Sequence, residues 1–268
     1  MEFHKTALSN VGYVPYGYGR RLEPALDDVA VQALAVSRAA GKRLDGVITL
    51  KRAFDLTVAC GALIVLSPMI AVSALLIKLE SRGPVFFMQE RIGLNRRRGE
   101  RRRADASVRF DERARSDRRK AANEGRPFKM YKFRTMVESA EAHGPVLACQ
   151  NDPRVTRFGR FMRKSRIDEI PQFINVIKGD MSIIGPRPER PYFINKVREH
   201  VPEFTMRLMV KPGITGLAQV ENGYAKTLDE MRGKLSYDLT YIANLSLSQE
   251  LKILCKTFHV VLTGKGAC

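Results

Sequence analysis

Between Leu56 and Ile77 the chain runs for 22 residues without a charged side chain. A straight helix of that length extends roughly 33 Å, enough to cross a bilayer core. It starts too far from residue 1 for a secretory signal, and no small-residue cleavage site follows it. Two features argue against a simple span. Ser67-Pro68 stands at the middle, where proline removes a helix hydrogen bond. Lys51 and Arg52 on one flank, with Lys78 and Arg82 on the other, place cations at both ends. Cationic flanks prefer the cytoplasmic side, so a helix that enters one leaflet and returns satisfies both features. A kinked spanning helix is the alternative.

Beyond this run the periodicities are shorter. Phe128 to Met136 alternates with the period of a strand, which puts Lys132 and Arg134 on one face. Arg154 to Arg166 reads as a basic amphipathic helix with Val155, Phe158, Phe161 and Met162 on its apolar side, a composition common at membrane surfaces. Ile170, Phe173, Ile174 and Ile177 fall at i, i+3, i+4 and i+7 of a helix that begins at Asp168 and stops at Lys178-Gly179. Tyr192, Phe193, Val197 and Val201 form a stripe suited to core packing. Lys211 to Gly216 is a Gly/Pro turn and a weak phosphate-loop candidate. Ser246 and Gln249 form a capping box for a last helix that carries Leu247, Leu251, Leu254 and Phe258 and stops at Gly264.

Charge narrows the partners. The chain has 46 Lys+Arg against 28 Asp+Glu, a formal charge of +18, which implies nucleic acid, an anionic membrane surface or phosphorylated small molecules. Arg96 to Lys120 holds twelve basic and five acidic residues with Phe110 as its one aromatic. That run reads as a solvated insertion with lipid contact secondary; the scarcity of aromatics disfavours a nucleic-acid arm. Residues 1–46 read as a flexible segment, with Tyr13, Tyr16 and Tyr18 suited to an interface and a short helix over Asp27–Ala40. Cys60, Cys149, Cys255 and Cys268 lack paired spacing and read as reduced packing residues.

The chemistry concentrates in Arg163-Lys164-Ser165-Arg166-Ile167-Asp168-Glu169-Ile170-Pro171, followed by Gly185-Pro186-Arg187-Pro188-Glu189. Cations around Asp168 and Glu169 favour the ionised forms of both. An ionised Asp can attack phosphorus or hold a divalent metal, and the surrounding Arg and Lys suit phosphates. A helix start there would favour anions as well. The bland alternative is that Asp168 caps a helix and Glu169 complements its dipole.

Taken in order, these segments resemble the bacterial sugar transferases, the monotopic phosphoglycosyl transferases that load a sugar phosphate onto polyprenyl phosphate. The matching residues are Lys51-Arg52-Ala53-Phe54-Asp55, Ser67-Pro68, Gly83-Pro84-Val85-Phe86-Phe87 and Gln89-Glu90-Arg91-Ile92-Gly93. Lys132-Phe133-Arg134-Thr135-Met136, Asp152-Pro153-Arg154, Asp168-Glu169, Gly185-Pro186-Arg187-Pro188 and Lys211–Gly216 also match. The resemblance covers residues 49–263. It implies an α+β, mainly helical fold: a re-entrant membrane helix over 47–80 broken at Ser67-Pro68, and a catalytic domain over 81–268 facing the cytoplasm at the bacterial inner membrane. Amphipathic interfacial helices, a small β element and the arginine-rich insertion at 96–126 would belong to that domain.

The resemblance further implies that Asp168 is the nucleophile on the β-phosphate of a UDP-sugar, releasing UMP and leaving a phosphosugar on the enzyme. Polyprenyl (undecaprenyl) phosphate then takes the phosphosugar, which starts exopolysaccharide or other surface-glycan assembly. Glu169, with Asp168, would hold Mg²⁺; Arg163 would steady phosphate and dyad; Arg187 between Pro186 and Pro188 would contact the nucleotide. Lys132, Arg134 and Arg154 are further candidates for binding substrate. UDP-sugar, polyprenyl phosphate and membrane lipids are the implied partners, without nucleic acid and with a homodimer left open. The chain departs from the family in its expanded link between Gly93 and Phe128. It also reads Glu221-Asn222-Gly223-Tyr224 after Gln219-Val220, where an arginine is common. The rival from another class is a membrane-anchored basic lipid- or nucleic-acid-binding protein without catalysis, which leaves the acidic dyad and Pro-Arg-Pro unexplained. A phosphatase-like enzyme using water as acceptor is the rival among enzymes.

Overall fold

The computed structural model describes residues 41–95, 125–137, 140, 152–221 and 228–263. The expected tail and short helix before residue 41, the body of the arginine-rich insertion and Asn222-Gly223-Tyr224 lie outside the described residues. Within them the chain is mostly helical with a small β element.

Helices α1 (Gly41–Val65) and α2 (Ser67–Glu80) contain the apolar run. They meet at Leu66 with a bend of 60°. The sequence explains the position of the bend. Pro68 has no N–H for the carbonyl of Ile64, four residues back, and the Ser67 hydroxyl donates to that carbonyl instead at 2.8 Å. Ile64, Val65, Val72, Leu75 and Leu79, on the two arms beside the bend, are exposed. No single helix among the described residues is long and apolar enough to cross a membrane, although the bent pair meets that test by length and composition.

The base of α1 is built into the rest of the fold. Asp55 is buried and accepts from Ser182 Oγ and Ile183 N, each at 3.0 Å. Arg52 donates to the carbonyls of Val176 and Ile177 at 2.6 and 2.9 Å, satisfying helix-end acceptors.

Strands β1 (Phe86–Ile92) and β2 (Pro127–Phe133) pair antiparallel, with Phe87 opposite Lys132. After them come α3 (Arg157–Lys164), a 3₁₀ turn at Ile167–Glu169, α4 (Gln172–Lys178) and β3 (Ser182–Ile184). The chain continues through α5 (Pro191–Arg198), a 3₁₀ segment (Pro202–Met209) and β4 (Gly213–Thr215). It closes with α6 (Leu217–Glu221), α7 (Leu228–Ala243) and α8 (Leu247–Thr263). Strands β3 and β4 pair in parallel. The main core lies around them, with Val176, Met181, Ile184, Leu235, Leu239 and Ile253 fully buried. A smaller cluster of Ile77, Phe133 and Met162 ties α2 to β2 and α3.

Several apolar stripes fall elsewhere than the periodicity predicts. Helix α4 starts after Pro171 rather than at Asp168, and it buries Gln172, Asn175 and Val176 while Ile177 is exposed. Asn175 is drawn inward because it closes hydrogen bonds with β2: it accepts from Tyr131 N at 2.9 Å and donates to Lys129 O at 2.8 Å. In α3, capped by Thr156, Met162 is buried but Phe161 is 57 % exposed, so the expected apolar side is split. Tyr192 is exposed, and Ile194 takes its expected place in the core. The Ser246 hydroxyl does cap α8, accepting from Gln249 N at 3.3 Å. The helix is nevertheless rotated so that Glu250 and Ile253 point inward and Leu247, Leu251 and Phe258 are exposed. Glu250 fixes that rotation by bonding Lys51 and Tyr241, each at 2.5 Å. Cys60 and Cys255 are free and exposed rather than packed.

Candidate active site

The acidic dyad lies in the 3₁₀ turn between α3 and α4, not at an α-helix start. Arg166 opens this turn with φ 60° and ψ 11°, the one non-glycine residue with positive φ among the described residues. A bulky residue there is strained, and strain of this kind persists where surrounding structure enforces it. Here the turn is braced on one side by α3, whose Gly159 lies against Thr135 so closely that a Cβ would come within 2.2 Å of its carbonyl oxygen. On the other side Asn175 fastens α4 to β2.

Strand β2 and the Pro-Arg-Pro turn bring cations to the dyad. Glu169 Oε1 accepts from Arg187 at 2.6 Å and from Lys132 at 3.2 Å. Burial disfavours its charge, yet Arg187 and Lys132 outweigh it and hold the carboxyl well below the usual glutamate range. Asp168 differs. It is 7 % exposed, and its nearest cation, Lys132, stands at 3.9 Å. Among the described residues its carboxylate accepts no hydrogen bond. Burial therefore dominates and pushes its carboxyl above the usual aspartate range, with Lys132 offsetting part of the effect. The sequence-based expectation that surrounding cations favour ionisation of both acids thus fails in direction for Asp168. Lys132 is itself lowered by burial.

Arg163 donates through Nε to Thr135 Oγ1 at 2.9 Å, and its charge acts on Asp168. The Pro-Arg-Pro turn is set by backbone. Gly185 N donates to Thr215 O at 2.9 Å, and Gly213 N donates to Pro186 O at 3.0 Å. A Cβ on Gly185 would lie 2.4 Å from Lys211 O, and one on Gly213 would lie 2.1 Å from Gly185 N. Glycine is required at both positions by this close approach. The Lys211–Gly216 segment, which contains strand β4, therefore seats the turn. Pro186 and Pro188 are buried, and Pro188 O accepts from Arg91 at 3.0 Å.

Two sequence candidates are engaged elsewhere. Arg134 follows strand β2, which ends at Phe133. It is buried, donating to Arg82 O and Ser81 O, each at 2.7 Å. Arg154 forks Asp152 at 2.9 and 2.6 Å and donates to Ala140 O, holding the Asp152 carboxyl at about 2. Of the supporting set behind Arg187, Glu189 stood in the motif but its partners were not legible. Arg207 donates to Arg187 O at 2.9 Å and pairs with buried Asp238 at 2.8 Å, while Glu189 accepts from Lys234 at 2.6 Å. No short-range pattern links Arg207, Lys234 and Asp238.

An implied divalent cation can be tested against these donors. Both oxygens of Asp168 and Glu169 Oε2 accept no hydrogen bond from the described residues. They are hard donors, and Mg²⁺ commonly binds through one or two carboxylates completed by substrate phosphate and water. The residues fit such an ion.

The chain matches the bacterial sugar transferase family over residues 47–100 and 110–264. It is 42 % identical to the UDP-N-acetylgalactosamine-undecaprenyl-phosphate N-acetylgalactosaminephosphotransferase of Aeromonas hydrophila, over 81 % of this chain and 45 % of that protein. It is 36 % identical to the UDP-glucose:undecaprenyl-phosphate glucose-1-phosphate transferase of Escherichia coli K12, over 81 % of this chain and 41 % of that one. The chain thus spans less than half the length of these two relatives. With the exopolysaccharide production protein PSS of Rhizobium leguminosarum bv. phaseoli it shares 35 % identity over 82 % of this chain and 98 % of its relative. A turn that leaves one acid unbonded beside Lys132 and Arg187 thus sits inside a match covering most of the chain, and the protein belongs to the bacterial sugar transferase family.

Proposed function

We propose that this protein transfers a sugar 1-phosphate from a UDP-sugar to undecaprenyl phosphate, as the first membrane step of exopolysaccharide or another surface glycan. The observation that carries the reading is Asp168: buried, flanked by cations and free of hydrogen bonds within the described fold. An anion so placed has no protein bond to break before it attacks.

In the first half-reaction an Asp168 carboxylate oxygen forms a bond to the β-phosphorus. The bridging P–O bond to the α-phosphate breaks, and its electron pair leaves with UMP. In the second, a phosphate oxygen of the lipid attacks the same phosphorus and returns the electron pair to Asp168. Dividing the exchange lets the nucleotide depart before the bulky acceptor reacts. Lys132, Arg187 and Arg163 are placed to offset charge on the transferred phosphoryl group. Asp168 and Glu169 would hold Mg²⁺, which supplies Lewis-acid neutralisation of the diphosphate.

The reading sets the bend between α1 and α2 in the cytoplasmic leaflet, which accounts for the exposed apolar residues beside Leu66. The catalytic part then faces the cytoplasm. In a background without native cysteines, Lys164→Cys and Glu203→Cys should both resist an impermeant maleimide applied to intact cells; labelling of either would place that surface outside.

The decisive assay supplies the membrane-bound protein with Mg²⁺, undecaprenyl phosphate and a panel of UDP-sugars that includes glucose and N-acetylgalactosamine. UMP release is expected with at least one sugar, and a labelled phosphosugar should stay on the protein when the lipid is withheld. Release with none of them would defeat the reading.

A further inference from the structure

We propose that Phe87 is the surface that receives the isoprenoid chain of the lipid acceptor where it leaves the acceptor's phosphate. The inference rests on the transfer reading above and adds a lipid subsite to it. Phe87 lies directly opposite Lys132 in the β1–β2 pair. Opposed residues of an antiparallel pair share a face, with their Cβ atoms about 5 Å apart. Lys132 reaches Asp168 and Glu169 from that face, so the base of Phe87 stands beside the cation next to the reacting carboxylate. Phe87 is 39 % exposed, an aromatic ring partly open to solvent at the edge of a charged site.

The direction of β1 separates the two substrates. On the Phe87 face the strand runs through Gln89 to Arg91, which pairs with Glu189 at 3.7 Å and donates to Pro188 O. Its far end joins the Pro-Arg-Pro turn through Ile92 N, which donates to Glu189 O at 3.0 Å. That end is cationic and suits the nucleotide diphosphate. The opposite end follows α2 after residues 81–85, and this link is held firmly: Arg134 donates to Ser81 O and Arg82 O, and Arg134 N donates to Val85 O at 2.9 Å. Phe87 therefore lies in a fixed place between the bent apolar helices and the dyad. A lipid phosphate that reaches Asp168 must lead its hydrocarbon back toward those helices. A phenyl ring, with no hydrogen-bonding group, suits a branched hydrocarbon there better than the polar edge of a uracil or a sugar.

The test separates the half-reactions, using the full chain in detergent. Wild type and F87S are first loaded with labelled phosphosugar from the UDP-sugar. The label is then chased with subsaturating undecaprenyl phosphate or with ethyl phosphate, which has no isoprenoid chain. F87S should load normally and respond to ethyl phosphate like wild type, while its chase by undecaprenyl phosphate slows about tenfold. F87L, which stays apolar, should recover most of that rate, and M88S, altered on the opposite face, should match wild type. Slower loading of F87S would assign Phe87 to the nucleotide sugar and overturn the proposal. An equal slowing with both acceptors, or an unchanged chase accompanied by weaker vesicle binding, would overturn it in favour of a structural or membrane-anchoring role. Should F87S fail to fold, F87L decides, because a large loss despite an apolar side chain contradicts the proposal. If wild type takes no label at all, the transfer reading has failed and this inference falls with it, an outcome distinct from every result on Phe87.

Discussion

Two clusters on either side of the Pro-Arg-Pro turn are each built on one Asp, one Glu, one Lys and one Arg, with Arg91 a further cation beside Glu189 in the second. The first is Asp168, Glu169, Lys132 and Arg187; the second is Asp238, Glu189, Lys234 and Arg207. Their electrostatics run in parallel. In each, burial pushes the aspartate up, while cations outweigh burial and hold the glutamate down. The clusters even share Arg187, whose side chain binds Glu169 and whose carbonyl accepts from Arg207. What separates them is one contact. Asp238, 1 % exposed, meets the Arg207 guanidinium at 2.8 Å, whereas Asp168 has no cation closer than 3.9 Å. Charge composition and titration behaviour do not distinguish the proposed nucleophile from its counterpart in the second cluster; the distance to the nearest cation does.

Replacing each aspartate by asparagine should therefore produce opposite outcomes, and Asp168→Asn has the larger effect. Loss of the proposed nucleophile should lower turnover at least about 10⁴-fold, while the melting temperature stays close to wild type because no hydrogen bond within the described fold is lost. Single-turnover labelling together with a thermal melt checks both halves. Asp238→Asn should do the reverse. It removes the nearer of the two carboxylates that face the buried Arg207 guanidinium, leaving Glu189 at 3.6 Å; breaking a buried pair typically destabilises by about 3–5 kcal/mol, and the protein that remains folded should still take up label. If Asp238→Asn folds well but does not load, the second cluster belongs to the chemistry and the comparison fails.

The first cluster was legible in the sequence because its acids are adjacent and its Arg187 stands between prolines, so short-range pattern and chemistry coincide. The second was legible only at Glu189, which ends the Pro-Arg-Pro motif: Arg207 and Asp238 join it only when α7 packs on the 3₁₀ segment after α5. The same limit governs the helices. The break at Ser67-Pro68 follows from a local rule about proline and appears where expected. The rotation of α8 does not, because it depends on Glu250 finding Lys51 and Tyr241 across the fold. Asp168 shows the limit most clearly. Its neighbours in sequence are cations, but its titration is governed by burial, which sequence spacing does not report.

Acid titration sharpens the comparison at intermediate size. The Glu189 carboxyl is buried, but Lys234 and Arg207 together hold it at about 2, below its ordinary 4.5. A folded-state value below the unfolded one contributes stability that is fully present above about 4.5 and is lost as pH falls toward 2. The difference corresponds to at most about 3 kcal/mol. Urea unfolding between pH 5 and pH 2.5 should show wild type losing stability more steeply than Glu189→Gln. Equal slopes would mean that the second cluster is not coupled to folding as its geometry indicates.

The smallest effect belongs to a pair with the same chemistry in a different setting. Lys256 on α8 bonds Glu221 at the end of α6, with the lysine side chain 53 % exposed. Water solvates both partners well when they part, and ordering two long side chains offsets much of the attraction, so exposed pairs of this kind contribute about 0–1 kcal/mol. Lys256→Ala should accordingly change the unfolding free energy by less than about 0.5 kcal/mol, and raising the salt concentration should remove even that. Asp238→Asn should retain most of its effect at high salt, since a buried pair is screened far less. A destabilisation by Lys256→Ala comparable to that of Asp238→Asn would show that burial is not what gives the second cluster its hold on the fold.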